Sequence, residues 1–132
     1  MAIIDANVAA GLILALPWSE EAREEIRNHA ERIAPSIFVA ELANALWQNV
    51  RAGNIAVETA VASLNEMLPV IELSADSALV EPALRLAASE NHPLYDCLYL
   101  ALAKERRQIL ITADMKLAAL ARRTGVAVRL LL

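Results

Sequence analysis

The chain has 132 residues, of which 58% are hydrophobic and 21% charged, and its formal net charge at pH 7 is −4. The hydrophobic share exceeds the ~45–50% that is usual in globular proteins, which argues against disorder and predicts a single domain over residues 1–132 with a real core. The net charge argues against a broadly basic coat for nucleic acid. Local basic clusters at 104–107 and 122–123 remain candidates for a patch, and they equally suit solvated helix ends.

The apolar run from Val8 to Trp18 has the character of a signal-peptide core, but Asp5 precedes it and no Lys or Arg does. It is also shorter than the ~20 residues that a bilayer-crossing helix needs. We therefore interpret this run as a core helix and expect a cytoplasmic protein with no membrane partner. The single cysteine, Cys97, allows no intramolecular disulfide and fits a reducing compartment.

Short apolar runs alternate with helical patterns along the whole chain. The apolar runs predict strands over 2–4, 33–34, 70–73, 109–112 and 126–131. The helical patterns predict helices over 6–16, 19–31, 36–51, 55–68, 77–90, 93–107 and 115–123. Short strands without polar alternation, separated by helices, indicate a parallel sheet with helices on both faces. The sequence therefore predicts one α/β domain with a five-stranded parallel sheet.

A few residues predict where the helices begin or break. Ser19 and Ser36 are typical N-cap residues. Pro93 suits the first position of its helix, where the missing N–H costs nothing. Pro82 lies inside the pattern 77–90 and predicts either a kink or a short preliminary turn.

Asp96 is the only charged residue in the stretch 94–103. A helix that is apolar on all sides is normally buried, so this carboxylate enters a packed interior or lies at its edge. An unpaired buried carboxylate takes up a proton, whereas an anion there needs an Arg, a Lys or a metal ion beside it. A place in the first helical turns, favoured by the helix dipole, is the simpler alternative.

Three further acids occupy positions that suit a site. Asp5 and Asp114 each follow a predicted strand, and ligands of open α/β sheets bind outside the carboxyl ends of the strands. Taken singly, each is equally well explained as a helix N-cap. Glu41 shares one side of its predicted helix with Asn44 and Gln48, and a solvated face is the simpler explanation there.

Taken together, these residues suggest a cluster of carboxylates: Asp5, Glu41, Asp96 and Asp114. Clustered carboxylates cannot all stay ionised unaided, and a hard divalent cation such as Mg²⁺ or Mn²⁺ resolves the conflict. A carboxylate-held cation with open water positions is typical of phosphoryl chemistry, in which it lowers the pKa of an attacking water.

Other chemistries have weaker support in the sequence. Nitrogen and sulfur donors for zinc are few and scattered, and we expect core or surface positions for His29, His92 and Cys97. The chain has only three glycines and no glycine-rich loop to cradle a nucleotide. The substrate phosphate is therefore expected in a polymer or a small phosphoester.

Four segments carry a family resemblance: IIDANV (3–8), AELANALW (40–47), YDCLYLALA (95–103) and ITAD (111–114). In this order they resemble the four motifs of PIN-domain ribonucleases, and most closely those of VapC-type toxins from bacterial toxin–antitoxin pairs. The resemblance implies a PIN-like fold and an Mg²⁺- or Mn²⁺-dependent endoribonuclease that hydrolyses RNA phosphodiester bonds. It further implies a homodimer and a cognate antitoxin protein, a segment of which blocks the acidic site.

The resemblance also implies residue roles. The catalytic acids would be Asp5, Glu41, Asp96 and Asp114, and the metal would be held by Asp5, Asp96 and Asp114. Thr112 would support the cluster through its hydroxyl. Asn7 stands where the family often has a small hydroxyl residue, which leaves its supporting role open. Cys97 stands where alanine is common and is expected to serve packing.

Two alternatives remain open at this point. A receiver-like phosphorylation switch would need paired acids after the first strand and a Lys at the end of a late strand, but Asp5 is unpaired and Lys116 lies in a predicted helix. A catalytically silent PIN-like module would only bind a partner. Trp47 and Val50 could serve such an interface, although core packing explains both more simply.

Overall fold

The computed structural model describes residues 1–132 and contains five strands and seven α-helices. In chain order they are β1 (Ala2–Ile4), α1 (Ala6–Ile13), α2 (Ser19–Asn28), β2 (Arg32–Pro35), α3 (Ile37–Arg51), α4 (Val57–Met67), β3 (Glu72–Ser74), α5 (Val80–Glu90), α6 (Leu94–Arg106), β4 (Ile109–Thr112), α7 (Met115–Arg123) and β5 (Val128–Leu130). Two short 3₁₀ turns, Leu68–Val70 and Asp76–Ala78, flank β3.

All five strands form one parallel sheet in the order β3-β2-β1-β4-β5. The central strand β1 pairs through Ile3 with Ile33 on one side and Leu110 on the other. The chain builds the sheet outward from β1 in one direction through β3, then returns to β4 and builds in the other direction. The switch point between β1 and β4 is where such sheets open a crevice for ligands. The predicted five-stranded parallel sheet is confirmed.

Helices cover both faces of the sheet, as predicted. Because crossovers between parallel strands are right-handed, the two directions of growth place α1–α4 on one face and α5–α7 on the other. The contacts agree: α1 packs on α2 and α3, α5 packs on α6, and α7 packs on β4 and β5. None of these helices combines the length and the hydrophobicity that crossing a membrane requires.

The centre of the core is the helix α6. Seven consecutive residues, from Cys97 to Ala103, are buried because the sheet covers one side of the helix and α5 covers another. Cys97 packs in this core, as expected. The first turn of α6 lies at the edge of the core, and Asp96 is its third residue. The prediction of a buried apolar helix that carries one carboxylate to the edge of the interior therefore matches the structure.

The turn between α1 and α2 corrects the prediction for Ser19. The Ser19 hydroxyl donates to the carbonyl of Leu14 (2.9 Å) and accepts the N–H of Leu16 (2.9 Å), so it closes the turn instead of capping α2. These bonds stabilise an extended chain after Ile13, and α1 ends there rather than at residue 16.

The sequence predicts that the side chain of Ser36 caps α3, and this prediction is wrong. Ser36 precedes α3, but its side chain makes no capping hydrogen bond. Its hydroxyl donates to the carbonyl of Ser74 (2.9 Å) and accepts the N–H of Asp76 (3.1 Å). The N–H of Ile37 is bound instead by Oδ1 of Asp76 (3.2 Å), 39 residues away. The start of α3 is thus fixed by a long-range contact that cannot be predicted from the local sequence pattern.

Other boundaries differ by a few residues. The 3₁₀ turn Leu68–Val70 delays β3, α4 begins only at Val57, and β5 is shorter than predicted. Of the two alternatives for Pro82, the structure has the preliminary turn, Asp76–Ala78, and Pro82 lies in the first turn of α5, where its missing N–H is tolerated. Pro93 is the N-cap of α6 rather than its first residue.

Trp47 corrects a further expectation. Its side chain is 52% exposed, so it does not pack in the core, whereas Val50 is partly buried. An open apolar groove of about 170 Å³ lies here between α3 and α4. The guanidinium of Arg51 stacks over the Trp47 ring at 4.7 Å from its centroid.

Candidate active site

The acids predicted from the sequence line one cavity of about 200 Å³ at the carboxyl edge of β1 and β4. Its lining consists of Asp5, Ala6, Asn7, Glu41, Ala45, Asp96 and Asp114. Two of these acids follow adjacent strands, one comes from α3 and one from α6. The structure thus brings together four carboxylates that are spread over 110 positions of the sequence, at the switch point of the sheet.

Thr112 joins the two strand ends beneath the cavity. It is the last residue of β4 and fully buried. Its hydroxyl donates to Oδ2 of Asp5 (2.7 Å) and accepts the N–H of Asp114 (3.0 Å). One hydroxyl therefore positions both strand-terminal acids.

The N-cap role predicted for the side chains of Asp5 and Asp114 is found only at Asp114. Asp114 caps α7, because its Oδ1 accepts the N–H groups of Lys116 (2.8 Å) and Leu117 (3.2 Å). Asp5 occupies the N-cap position of α1, but its side chain makes no capping hydrogen bond, and it is 7% exposed. Capping accounts for one oxygen of Asp114 and does not account for the Asp5 carboxyl.

Glu41 is not on a solvated face, which corrects the simpler explanation from the sequence. Its side chain is partly buried, and its Oε1 accepts the hydroxyl of Tyr99 at 2.7 Å. Tyr99 is fully buried in α6. This bond ties α3 to α6, two helices from opposite faces of the sheet, beside the cavity.

Asp96 has a hydrogen-bond partner, His92, that the sequence analysis did not identify. Nε2 of His92 lies 2.8 Å from its Oδ2, with 14% of the His92 side chain and 27% of the Asp96 side chain exposed. No Arg or Lys forms a salt bridge with Asp96. His92 was expected in a mere core or surface position, but its spacing of four residues from Asp96 was a readable signal of contact.

Asn7 ties the first turn of α1 to the segment after β4. Its Oδ1 accepts the N–H of Ala113 (3.1 Å), and its carbonyl accepts the indole N–H of Trp18 (2.8 Å). The Asn7 amide thus bridges two elements of the cavity wall.

The electrostatics of the cavity work against full ionisation. Burial raises the pKa of Asp5 to about 7, the hydrogen bond from Thr112 opposes the rise, and the negative charges of Glu41 and Asp96 add to it. Burial also raises the pKa of Glu41. The hydrogen bond from Tyr99 opposes this rise, and the negative charges of Asp96 and Asp76 add to it. At neutral pH the cluster therefore needs either protons or a cation.

The donor set suits a hard divalent cation. The hydrogen bonds described above use one oxygen of each carboxyl: Oδ2 of Asp5, Oε1 of Glu41, Oδ2 of Asp96 and Oδ1 of Asp114. The second oxygen of each remains available to a ligand, and oxygen donors are those that Mg²⁺ and Mn²⁺ prefer. No three Asp, Glu, His or Cys side chains are already close enough together to enclose a metal ion. The chemistry fits a cation that completes its coordination shell with water, as Mg²⁺ usually does.

Comparison with known proteins shows the family. The PIN domain family matches residues 2–123. Ribonuclease VapC3 from Pyrobaculum aerophilum is 27% identical over 119 residues, which cover 88% of this chain and 91% of that protein.

Solved structures show the same fold. VapC20 from Mycobacterium tuberculosis, a sarcin-ricin loop cleaving toxin, has a TM-score of 0.75 at 16% identity, over 96% of this chain and 97% of that one. VapBC2 from Rickettsia felis, bound to a DNA fragment from its promoter, has a TM-score of 0.70 at 16% identity, over 98% of both chains. Because the family match spans nearly the whole sequence, this chain belongs to the PIN domain family and, as its motifs predicted, is similar to VapC toxins.

Proposed function

We propose that this protein is a divalent-metal-dependent endoribonuclease and the toxin of a toxin–antitoxin pair. One observation carries the proposal: four carboxylates line a single cavity, and each has one oxygen fixed by its own hydrogen-bond partner. The similarity to a protein named Ribonuclease VapC3 supports RNA as the substrate. The catalytic acids in this proposal are Asp5, Glu41, Asp96 and Asp114.

Asp5, Asp96 and Asp114 are the residues that would hold Mg²⁺ or Mn²⁺. When bound, the cation supplies a water of lowered pKa and neutralises charge that develops on the phosphate. Thr112 holds Asp5 and Asp114 at a fixed distance from each other, because its hydroxyl bonds to both. Asn7 holds the cavity wall through Ala113.

Glu41 has a different role in the proposed reaction. Burial raises its pKa, which makes its carboxylate a better base near neutral pH than an exposed glutamate. The Tyr99 hydroxyl fixes Oε1, so Oε2 is the atom that accepts a proton from the attacking water. Tyr99 itself stays protonated, because burial raises the pKa of its phenol far above the ordinary value.

A cognate antitoxin and a second copy of the chain are the proposed protein partners. The antitoxin is supported by the resemblance of the four motifs to VapC-type toxins of toxin–antitoxin pairs and by the similarity in fold to VapBC2. The homodimer rests on the same family resemblance. A segment of the antitoxin entering the acidic cavity would compete directly with RNA and silence the enzyme.

A catalytically silent binding module is the second candidate, and the groove between α3 and α4 favours it. Eight apolar residues line this groove, among them the exposed Trp47, which suits binding to a protein. The receiver-like alternative is not retained. Its strand order is 2-1-3-4-5, whereas this sheet has the order 3-2-1-4-5.

Cleavage of RNA by the purified chain, freed of bound proteins, tests the proposal. Structured and unstructured RNAs are incubated with Mn²⁺, Mg²⁺ or EDTA, and parent protein is compared with Asp96→Asn. We expect metal-dependent cleavage to fall at least about 100-fold in Asp96→Asn, because one cation ligand loses its charge. The circular dichroism spectrum of the variant should match that of the parent.

The matched control is Glu81→Gln, which removes an exposed carboxylate paired only with Arg85. It should cleave like the parent protein. Cleavage that persists in EDTA, or full activity in Asp96→Asn, would contradict the proposal. Partner binding without any cleavage would favour the binding module.

A further inference from the structure

We propose that His92 is a positioning residue of the cation site: it fixes the Asp96 carboxyl through Oδ2 and thereby presents Oδ1 to the metal. The inference rests on the proposed function above, since it concerns the same site. It assigns a role to a residue outside the four motifs of the sequence.

The contact defines both the donor and the oxygen that remains available. Nε2 of His92 and Oδ2 of Asp96 are 2.8 Å apart. As a cation ligand Asp96 is a carboxylate, which only accepts hydrogen bonds, so in the proposed site His92 donates from Nε2. A carboxyl held at one oxygen cannot rotate freely about its Cβ–Cγ bond, which keeps Oδ1 at a fixed place.

The backbone that carries His92 is itself well fixed. The connection between α5 and α6 is only three residues long, 91–93. Asn91 ends α5 in the left-handed conformation with φ of 51°, and the N–H of His92 donates to the carbonyl of Ala87 (3.2 Å). Pro93, whose ring restricts φ, is the N-cap of α6. The backbone of His92 is therefore tied to α5, and its imidazole contacts Asp96 on α6.

Comparison with the other acids shows why this contact is needed. Asp5 is held by Thr112, Glu41 by Tyr99, and Asp114 by backbone N–H groups of α7. Asp96 has no salt bridge to Arg or Lys, and His92 is the side chain that holds it. Hydrogen-bond partners of metal ligands typically change metal affinity 10–100-fold when they are removed. His92 completes the set of supports.

Mn²⁺ affinity measured without RNA tests this role. The electron paramagnetic resonance signal of unbound Mn²⁺ is followed during titration of the full chain. We expect His92→Ala to weaken Mn²⁺ binding about 10–100-fold. His92→Gln, whose side-chain amide reaches the same place as Nε2, should recover most of that loss. The Mn²⁺ concentration for half-maximal RNA cleavage should rise in parallel, with a smaller change in the rate at saturating Mn²⁺.

The other histidine provides a matched control. His29 also contacts an acid four residues away, Glu25 at 3.5 Å, but neither residue lines the cavity. His29→Ala should leave Mn²⁺ affinity unchanged. If His92→Ala fails to fold, His92→Leu keeps the apolar volume and removes the donor, and it should show the same loss.

Mn²⁺ affinity within threefold of the parent in a folded His92→Ala or His92→Leu protein would overturn the role of His92. Equal loss in the Gln and Ala variants would do so as well. Failure of the proposed function looks different: parent protein that binds Mn²⁺ but cleaves no RNA would refute the ribonuclease and leave the role of His92 standing. A parent protein that binds no Mn²⁺ would overturn both.

Discussion

At the scale of single residues, the cavity is organised by hydroxyl, phenol and imidazole groups that each take one carboxyl oxygen. Thr112 contributes most to this order, because its one hydroxyl contacts both Asp5 and Asp114. It is fully buried, so no water replaces a bond that is lost there. A single oxygen atom thus links the carboxyl of Asp5 to the backbone of Asp114.

Thr112→Val should therefore weaken both stability and activity. Valine keeps the shape but leaves Oδ2 of Asp5 and the N–H of Asp114 without their partner, which costs roughly 1–3 kcal/mol of unfolding free energy. We expect metal-dependent cleavage to fall about 10–100-fold. Urea denaturation and cleavage assays measure the two effects. Thr112→Ser restores the hydroxyl and should recover both, and a valine variant as active as the parent would refute this role.

At the scale of elements, the junction of α1 and α2 positions Asn7. The ring of Trp18 lies directly on Gly11, where an added Cβ would be 2.9 Å from Cδ1 and Nε1. The indole cannot simply move away, because its N–H donates to the carbonyl of Asn7. The absence of a side chain at Gly11 allows Trp18 to bond the carbonyl of Asn7, the residue whose side chain contacts the segment after β4.

Gly11→Ala should destabilise the protein by about 1–2 kcal/mol, since overpacking outweighs the better helix propensity of alanine. Urea denaturation measures the change in unfolding free energy. In a Trp18→Ala background the same substitution should no longer be destabilising, because the clash is gone. An equal cost in both backgrounds would place the strain elsewhere.

The sequence predicted those elements that depend on local pattern. β4 begins with the apolar residues 109–111, and α6 contains the apolar run 97–103. The parallel sheet follows from the alternation of strands and helices. The starts of α2 and α3 were predicted with the wrong caps, because Ser19 and Ser36 bind other turns. A hydrogen bond from a residue 39 positions away leaves no local signal.

The site was predictable to a similar degree. Asp5 and Asp114 follow strands, which places them at one edge of the sheet from sequence alone. Glu41 had a simpler explanation as a solvated residue, since its partner Tyr99 is 58 positions away. His92 was overlooked although its spacing from Asp96 was visible. Trp47 was assigned to the core because nothing in an apolar pattern tells a packed face from an open groove.

At the scale of the whole molecule, the acidic cavity makes stability depend on pH. The pKa of Asp5 rises from 3.8 to about 7 on folding, so between these values the native state binds more protons than the unfolded state. Without metal, the contribution of Asp5 to the unfolding free energy is therefore greatest below pH 4 and declines as pH rises towards 7. Above pH 7 the buried charge costs up to roughly 4 kcal/mol.

Asp5→Asn should remove this dependence. Asparagine still accepts the Thr112 hydroxyl but carries no charge, so the variant should be more stable than the parent at pH 8 and equally stable near pH 4. Urea denaturation in EDTA across pH 4–8 measures the unfolding free energy of both proteins. Taking their difference at each pH removes the contribution of the other titrating groups. A constant difference over the whole range would show that Asp5 ionises normally.

The change in unfolding temperature on adding Mn²⁺ at pH 7.5 tests most directly whether Asp5, Asp96 and Asp114 form one cation site. A cation that binds only the folded chain stabilises it by about 2.7 kcal/mol at 100 times its Kd, which raises the unfolding temperature by several degrees. We expect this rise in the parent and in Glu81→Gln, and its loss in Asp96→Asn and Asp114→Asn. An unchanged unfolding temperature in the parent, or an equal rise in all four proteins, would contradict the existence of the site.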